Sequence, residues 1–482
     1  MVRALKLKIA AALLISSLVG ASGSAQTAGG GPSVAALQPI LQPLYAGTGS
    51  EERAPSQAQT SDQFVLTGAQ QISPEPHVQK RNYWQPLFSL SSTADSNPFG
   101  LGNRITVVPW ASFLGGIDLH ASSHRSDLTV NYLGGGAVSQ YQNEDGPIQQ
   151  LTLAERLSGR RAAISFFDQF GFFPQAVSPL SLPTGVLDLS NDSNISLQPA
   201  FLPNQLITGT VGQELTNSSV GEFDVSVGAH SSLSVLASYS LVRFFNSNLL
   251  DLNDTIGQAG FNQQLTRNNT IGLLYRFTAF RFSNIYQPMN GNIVQVAFGR
   301  RITNRWAFDL MAGPELAQYG GTGQSMLPSS NTAVSQVRRI YSTADFSATY
   351  RSSRSFLRFG YDRGVTDGAG FLMGAITDAG YGSIEHRLSR RLIVQFTGGY
   401  ARNRGLLAMG QQQPLNEIYD NWFGGATVSH GWGRWGSIFL TYQLQRQATN
   451  FACVGVLCGN DFTRHLFSIG LTRRAQPRLI GS

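Results

Sequence analysis

The sequence predicts an all-β chain whose body is one antiparallel up-and-down barrel of about eighteen strands. Three observations predict it. From about residue 84 onward, segments of about ten residues alternate apolar with small or polar side chains. The connections between these segments alternate between very short and long. The composition is low in charge (13%) yet rich in glycine (52) and in aromatics (29 Phe, 15 Tyr, 6 Trp) over 482 residues.

The composition also excludes classes. Soluble domains carry roughly 25% charged residues, so a charged disordered chain or a coiled coil does not fit. A helical membrane bundle needs several apolar runs of roughly 20 residues, and the one long apolar run, at the N-terminus, is shorter than that. No basic run is interleaved with aromatics, so nothing points to a nucleic-acid partner.

Residues 1–25 read as a secretory signal peptide. Arg3, Lys6 and Lys8 open it, Ile9 to Ala21 is the apolar stretch, and Gly23-Ser24-Ala25 precedes the cut at Gln26. The alternative, a membrane anchor, asks the apolar stretch to span about 20 residues, for which it is short. Cleavage removes three basic residues and no acid, which takes the net charge from +7 to +4. Residues 26–82 are rich in Gln, Ser, Ala, Gly and Pro without a sustained period, and read as a flexible periplasmic lead-in. A tether to the cell wall or to a partner is the functional alternative.

Residues 83–474 form the body. In Leu233 to Leu241 the odd positions are mostly large and apolar. Trp306, Phe308, Leu310 and Ala312 form one face with Asp309 opposite. Leu392, Val394, Phe396, Gly398 and Tyr400 form another such face, as do Ile438, Leu440, Tyr442 and Leu444. Period 2 sends successive side chains to opposite faces of a sheet. A charge opposite Phe and Leu means that one face is wet.

Short connections fall around His124, Gly159, Ser231, Asn268, Asn304, Ser353, Arg390 and Gly433, and many are basic. Long ones include Thr93 to Arg104, Tyr319 to Val334, Val365 to Gly374, Asn403 to Pro414 and Thr449 to Asp461. Eight short turns and nine long loops make seventeen connections and eighteen strands. Sixteen is the alternative count, because alternation is weakest in Pro86 to Ser92 and near Ile256.

Turns on one side and loops on the other is the plan of a transmembrane barrel. Lipid offers backbone groups no hydrogen bonds, so a membrane sheet must close on itself. Aromatic rings should then collect at both interfaces. Trp306 and Trp435 follow basic turns, and Tyr319, Tyr361 and Tyr400 lie at the far ends. A secreted sandwich or propeller would also alternate, but its long loops need not fall on every second connection.

On these segments the chain resembles the porin-type outer-membrane barrels of Gram-negative bacteria, large uncharacterised barrels among them. The resemblance covers about 84–474 and rests on pattern. The last strand, Thr463 to Arg473, looks like the terminal strand of that class. Such chains commonly stop at an aromatic residue, whereas this one continues as a short tail, 475–482. The resemblance implies an outer-membrane location, insertion by the barrel-assembly machinery, a lipid partner, and leaves a homotrimer open.

The candidate site residues follow. Asp118, Asp224, Arg276, Asp309, Arg358, Asp362 and Glu385 fall on the wet face and are pore-lining candidates. Fixed charges of both signs would set an ion preference whose sign the sequence leaves open; mutual pairing that plugs the pore is the alternative. The longest connection, about 171–217, is the third external loop, which in porins folds into the lumen. Its Asp188 and Asp192 would stand at the constriction, unless the loop caps the mouth. Cys453 and Cys458, in the last external loop, read as a disulfide, as expected for an exported pair so close in sequence. Closing that ring contributes roughly 2 kcal/mol by chain entropy.

The expected function is passive diffusion of small hydrophilic solutes or ions, without an enzymatic step, cofactor or metal. The alternative is a non-conducting barrel that displays loops for adhesion or assembly. A barrel hydrolase would need a nucleophile beside a histidine, and His120 two residues from Asp118 is the pairing that comes nearest.

Overall fold

A computed structural model describes residues 82–97, 107–123, 125–139, 146–173, 213–245, 251–266, 268–282, 289–303, 305–320, 336–368, 372, 374–389, 391–406, 417–433, 436–450 and 461–480. The signal peptide, nearly all of the lead-in, Asp188, Asp192, Cys453, Cys458 and Trp435 lie outside them.

Eighteen long strands follow in chain order. They are β1 (Tyr83–Asp95), β2 (Val108–Ser122), β3 (Ser126–Ser139), β4 (Gly146–Ser158), β5 (Ala162–Phe173) and β6 (Gln213–Ser226). Next come β7 (Ser231–Phe245), β8 (Leu252–Thr266), β9 (Asn269–Phe282), β10 (Met289–Arg301), β11 (Trp306–Gly320) and β12 (Gln336–Arg351). The last six are β13 (Ser355–Thr366), β14 (Ala375–Arg387), β15 (Leu392–Gly405), β16 (Ile418–Trp432), β17 (Gly436–Thr449) and β18 (Phe462–Arg474). A two-residue strand, β19 (Arg478–Leu479), pairs with Tyr83 and Trp84, so the tail lies along the start of β1.

Every long strand pairs antiparallel with its sequence neighbours, and β1 pairs with β18 from Leu87↔Arg474 to Asp95↔Leu466. The sheet is therefore a closed barrel. Closure gives every strand two partners and leaves no open edge. The count of eighteen stands. The two weakly alternating segments are full strands, and the ragged one carries an irregularity between Gln264 and Thr266 in β8. The long connection after β5 is shorter than the sequence implies, because β5 runs to Phe173 and β6 starts at Gln213.

The strands alternate as period 2 requires. In β9, Ile271, Leu273, Tyr275 and Phe277 point out and are exposed, while Thr270, Leu274, Arg276 and Thr278 point in and are buried. The same holds around the wall, so an apolar outer belt of Leu, Ile, Val and Phe encircles a closed sheet. That is the exterior of an outer-membrane barrel. The start of β1, the end of β18 and the strand ends that meet at the short turns share one edge, the turn edge; the opposite strand ends form the loop edge. Trp306 lies outward at the turn edge, packed on Tyr350 with ring centroids 4.8 Å apart. Tyr361 and Tyr400 lie outward near the loop edge. Tyr319 does not: its odd position in β11 turns it inward, where it packs on Phe280, Met289 and Val365.

The inner face is mixed. Ser91 and Ser112 meet at 2.6 Å, Thr93 and Ser468 at 2.8 Å, and Ser218 and Ser240 at 3.0 Å. A diagonal band of Ala154, Phe167, Val220, Leu236 and Ile256 crosses β4 to β8 and is apolar. Three large inward rings each lie over the glycine registered opposite on the next strand: Tyr381 over Gly360, Phe423 over Gly399, and Phe439 over Gly470. A Cβ on any of these glycines would collide with the ring.

The seam between β18 and β1 is tied from inside. Arg464 Nε donates to Asp95 Oδ2 at 2.8 Å, and Nη2 bonds the same oxygen. Asp95 is 1% exposed and Arg464 9%.

Candidate channel lining and constriction

The register places all seven predicted lining residues on the inner face. They do not form one cluster. Asp118 on β2 and Asp224 on β6 stand near the turn edge, away from the others. Arg276, Asp309, Arg358, Asp362 and Glu385 belong to one arc of wall, β9 to β14.

Arg276 stands at the β9 end of that arc. Its Nε donates to Gln258 Oε1 at 2.9 Å, and its charge is felt by Asp345, Asp362 and Glu315. Asp345 also interacts with Arg358, and Arg358 with Tyr381. Lower on the wall, Ser347 Oγ donates to Asp309 at 3.5 Å, and Arg387 Nε stands 3.8 Å from Glu385. The sequence reading missed Asp345 and Glu315. Both follow from register, since Asp345 pairs with Asp362 and with Met311, two residues inward-facing by parity. Arg301 and Arg339 share that face by register, so Asp309, Glu315, Asp345 and Asp362 on β9 to β13 are matched by Arg276, Arg301, Arg339 and Arg358.

Above this arc the wall folds inward. The β12–β13 ladder covers only Ala344–Arg351 against Phe356–Arg363. Beyond Arg363, β13 leaves β12, and the Val365 N–H donates instead to Glu315 Oε2 at 3.1 Å. The segment then turns tightly. Leu372 N donates to Gly368 O at 3.0 Å and Gly374 N to Asp367 O at 3.1 Å. Gly368 and Gly374 both have φ of +79°, a conformation that glycine reaches without a Cβ clash. Leu372 is only 2% exposed.

This segment reaches far from its own strands. A Cβ on Gly374 would strike the Met289 sulfur at the start of β10. Asp367 lies within electrostatic range of Asp254 on β8. Val365 joins an inward apolar cluster with Val242, Leu252, Phe280, Phe282 and Tyr319, against which Leu406 packs. The described residues of the β13–β14 connection therefore pack against the inner face of β7 to β11 at the loop edge. The sequence places Val365 to Gly374 among the long external connections, and the structure turns its described residues inward. A signal was present: Phe371-Leu372-Met373 is an apolar triplet inside an otherwise glycine-rich connection.

His120 is not set beside Asp118 as an acid–base pair. Its Nε2 bonds Asp127 Oδ1 on β3 at 2.9 Å, and its ring stacks on Tyr83 at 5.6 Å. The pair ties the turn-edge ends of β1, β2 and β3 together.

Several solved structures are similar to this chain in fold. Pseudomonas aeruginosa OccK2 (OpdF) matches at a TM-score of 0.41 and 10% identity, over 81% of this chain and 98% of that one. Acinetobacter baumannii OccAB4 matches at 0.43 and 10%, over 83% and 100%. Pseudomonas aeruginosa OpdK, solved with vanillate, matches at 0.40 and 8%, over 81% and 99%. At this distance no ligand transfers to this chain. No family model and no curated protein matches it.

Proposed function

We propose that this barrel is a passive outer-membrane channel for small hydrophilic solutes or ions. The observation that carries the reading is the inner wall from β9 to β14, where carboxylates and guanidinium groups line a closed sheet. An apolar exterior holds the barrel in lipid, and a charged interior offers water and ions the partners that lipid denies them. Asp118, Asp224, Arg276, Asp309, Arg358, Asp362 and Glu385 would line the path. Asp345 and Glu315 add acid to it, and Arg301 and Arg339 on the same face add base. The 171–217 connection, with Asp188 and Asp192, would narrow the path together with the β13–β14 segment. Insertion by the barrel-assembly machinery and a homotrimer belong to the same proposal.

A second reading has an observation of its own. The apolar band from Ala154 to Ile256 is buried on the inner face, and apolar surface is not stable against water. A lumen filled on that side would make the barrel a non-conducting scaffold for its loops.

Planar-bilayer recording of the refolded mature chain separates the two. Discrete, long-lived current steps are expected from a channel. Confirmed insertion and a β-rich spectrum without steps would leave the scaffold reading standing.

A further inference from the structure

One stretch of the outer surface breaks the apolar belt in a patterned way. On β13, Tyr361 and Arg363 both project outward; across the ladder on β14 stands Asp378. Tyr361 Oη and Arg363 Nη1 each donate to Asp378 Oδ1 at 3.0 Å. The arrangement repeats two strands on. Tyr400 Oη on β15 donates to Asp420 Oδ1 on β16 at 2.5 Å, and Arg402 Nε stands 3.8 Å from the same oxygen. Register confirms the shared face: Arg363 pairs with Asp378, Asp378 with Arg402, and Arg402 with Asp420.

Two further cations complete the patch. Arg404 lies outward one step above Arg402 and is exposed. Arg446 on β17 holds its guanidinium 5.5 Å from the Trp422 ring, which lies 5.4 Å from Tyr400. Four arginines thus face two aspartates. Each arginine has five N–H donors, and one carboxylate oxygen uses few of them. Arg363 and Arg402 stay 39% and 44% exposed in their pairs.

The patch is one-sided. In β1 to β6, the two outward positions nearest the loop edge carry no charge: they are residues such as Ser92, Ala111, Val138, Gln149, Phe170 and Leu215. Arg243 on β7, Arg281 on β9 and Arg338 on β12 are outward cations at the same edge, but four arginines gather on β13, β15 and β17 around the two Tyr–Asp pairs. Its level also matters. The patch sits at the upper margin of the apolar belt, where lipid headgroups meet the wall. Planar guanidinium groups match phosphate oxygens two at a time, and the aromatic rings between them offer apolar faces to sugar and acyl carbons.

We propose that the outer face of β13 to β17 binds a phosphorylated glycolipid of the outer leaflet. Arg402, Arg404 and Arg446 take the phosphate, Asp378 and Asp420 hold their neighbours in place, and Tyr400 and Trp422 support the lipid body. The site is independent of whether the lumen conducts.

The test uses the full mature chain in a nonionic detergent, followed by native mass spectrometry. The probes are a bis-phosphorylated, acylated glucosamine disaccharide, the same glycolipid with its phosphates removed, and phosphatidylglycerol. The phosphorylated glycolipid should stay bound, and the dephosphorylated one should be lost. R402Q/R404Q/R446Q should weaken retention by about tenfold or more, as expected for several arginines acting at a membrane surface. R243Q/R281Q, which alters outward arginines on β7 and β9, should not weaken it. Equal retention of both glycolipids by the unaltered chain overturns the proposal, whatever the folding of the variants. So does equal loss in both variants, or equal retention of phosphatidylglycerol, which would mark a general anionic-lipid surface.

Discussion

The Glu315 carboxylate of β11 accepts a hydrogen bond from the Val365 N–H of β13, reaching past β12 to do so. It replaces a ladder bond that β13 gives up when it turns inward. Without this acceptor a buried N–H would be left unpaired, which costs about 1–3 kcal/mol. Glu315→Ala is therefore predicted to loosen the β13–β14 segment, whereas Glu315→Gln keeps an acceptor oxygen. Protease cutting within 365–374 should accelerate in the alanine variant and stay near the original rate in the glutamine variant. Equal rates in all three chains would show that the carboxylate does not hold the segment.

The closing seam makes a second prediction. Arg464 and Asp95 are both buried, and removing one partner strands the other's charge. Arg464→Ala should lower stability by about 3–5 kcal/mol, seen as a lower urea midpoint in detergent. Replacing an outward arginine such as Arg300 should do much less. A midpoint for Arg464→Ala within error of the original would mean that the backbone ladder alone holds the seam.

Ion preference follows from the wall chemistry and rests on the channel reading. With Arg276 present, its charge offsets part of the field of Asp345, Asp362 and Glu315. Arg276→Gln should shift the reversal potential in a salt gradient toward cations. Asp345→Asn should shift it the other way. A shift of the same sign in both would sink the idea that these groups sit along the ion path.

Glu417, just before β16, gives a pH dependence with a definite sign. Burial pushes its carboxyl above the ordinary range, and the hydrogen bond from Tyr419 Oη offsets only part of that. A raised acid favours the protonated form in the fold. Its contribution is present below the unfolded carboxylate value and is lost as pH rises through the raised folded value. Glu417→Gln stays neutral throughout, so its advantage in melting temperature should grow with pH across that window. A constant difference between the two chains would remove Glu417 from the account.

Much of the fold was legible because period 2 and turn chemistry are local. Ile271, Leu273 and Tyr275 announce an outward face, and two-residue spacing puts Arg276 inside. What local pattern cannot hold is the relation between distant strands. Tyr319 reads as an interfacial ring by its place near a strand end, yet parity turns it inward. His120 has Asp118 two residues away, but its partner is Asp127 on the next strand. The inturned β13–β14 segment was the largest miss, because its partners, Met289 and Tyr319, are supplied by β10 and β11 and no short window contains them.

The rings that lie over Gly360, Gly399 and Gly470 bear on calibre. Tyr381, Phe423 and Phe439 are among the bulkiest groups on the inner face, and each is accommodated within the thickness of the wall because its neighbour lacks a side chain. On the channel reading, calibre there would follow from these glycines and ion preference from Arg276 and its acids, the two sets meeting where Arg358 reaches Tyr381. A valine at position 399 would lift the Phe423 ring toward the axis and throttle flow without altering a single charge, so aperture and ionic taste can evolve separately in this barrel.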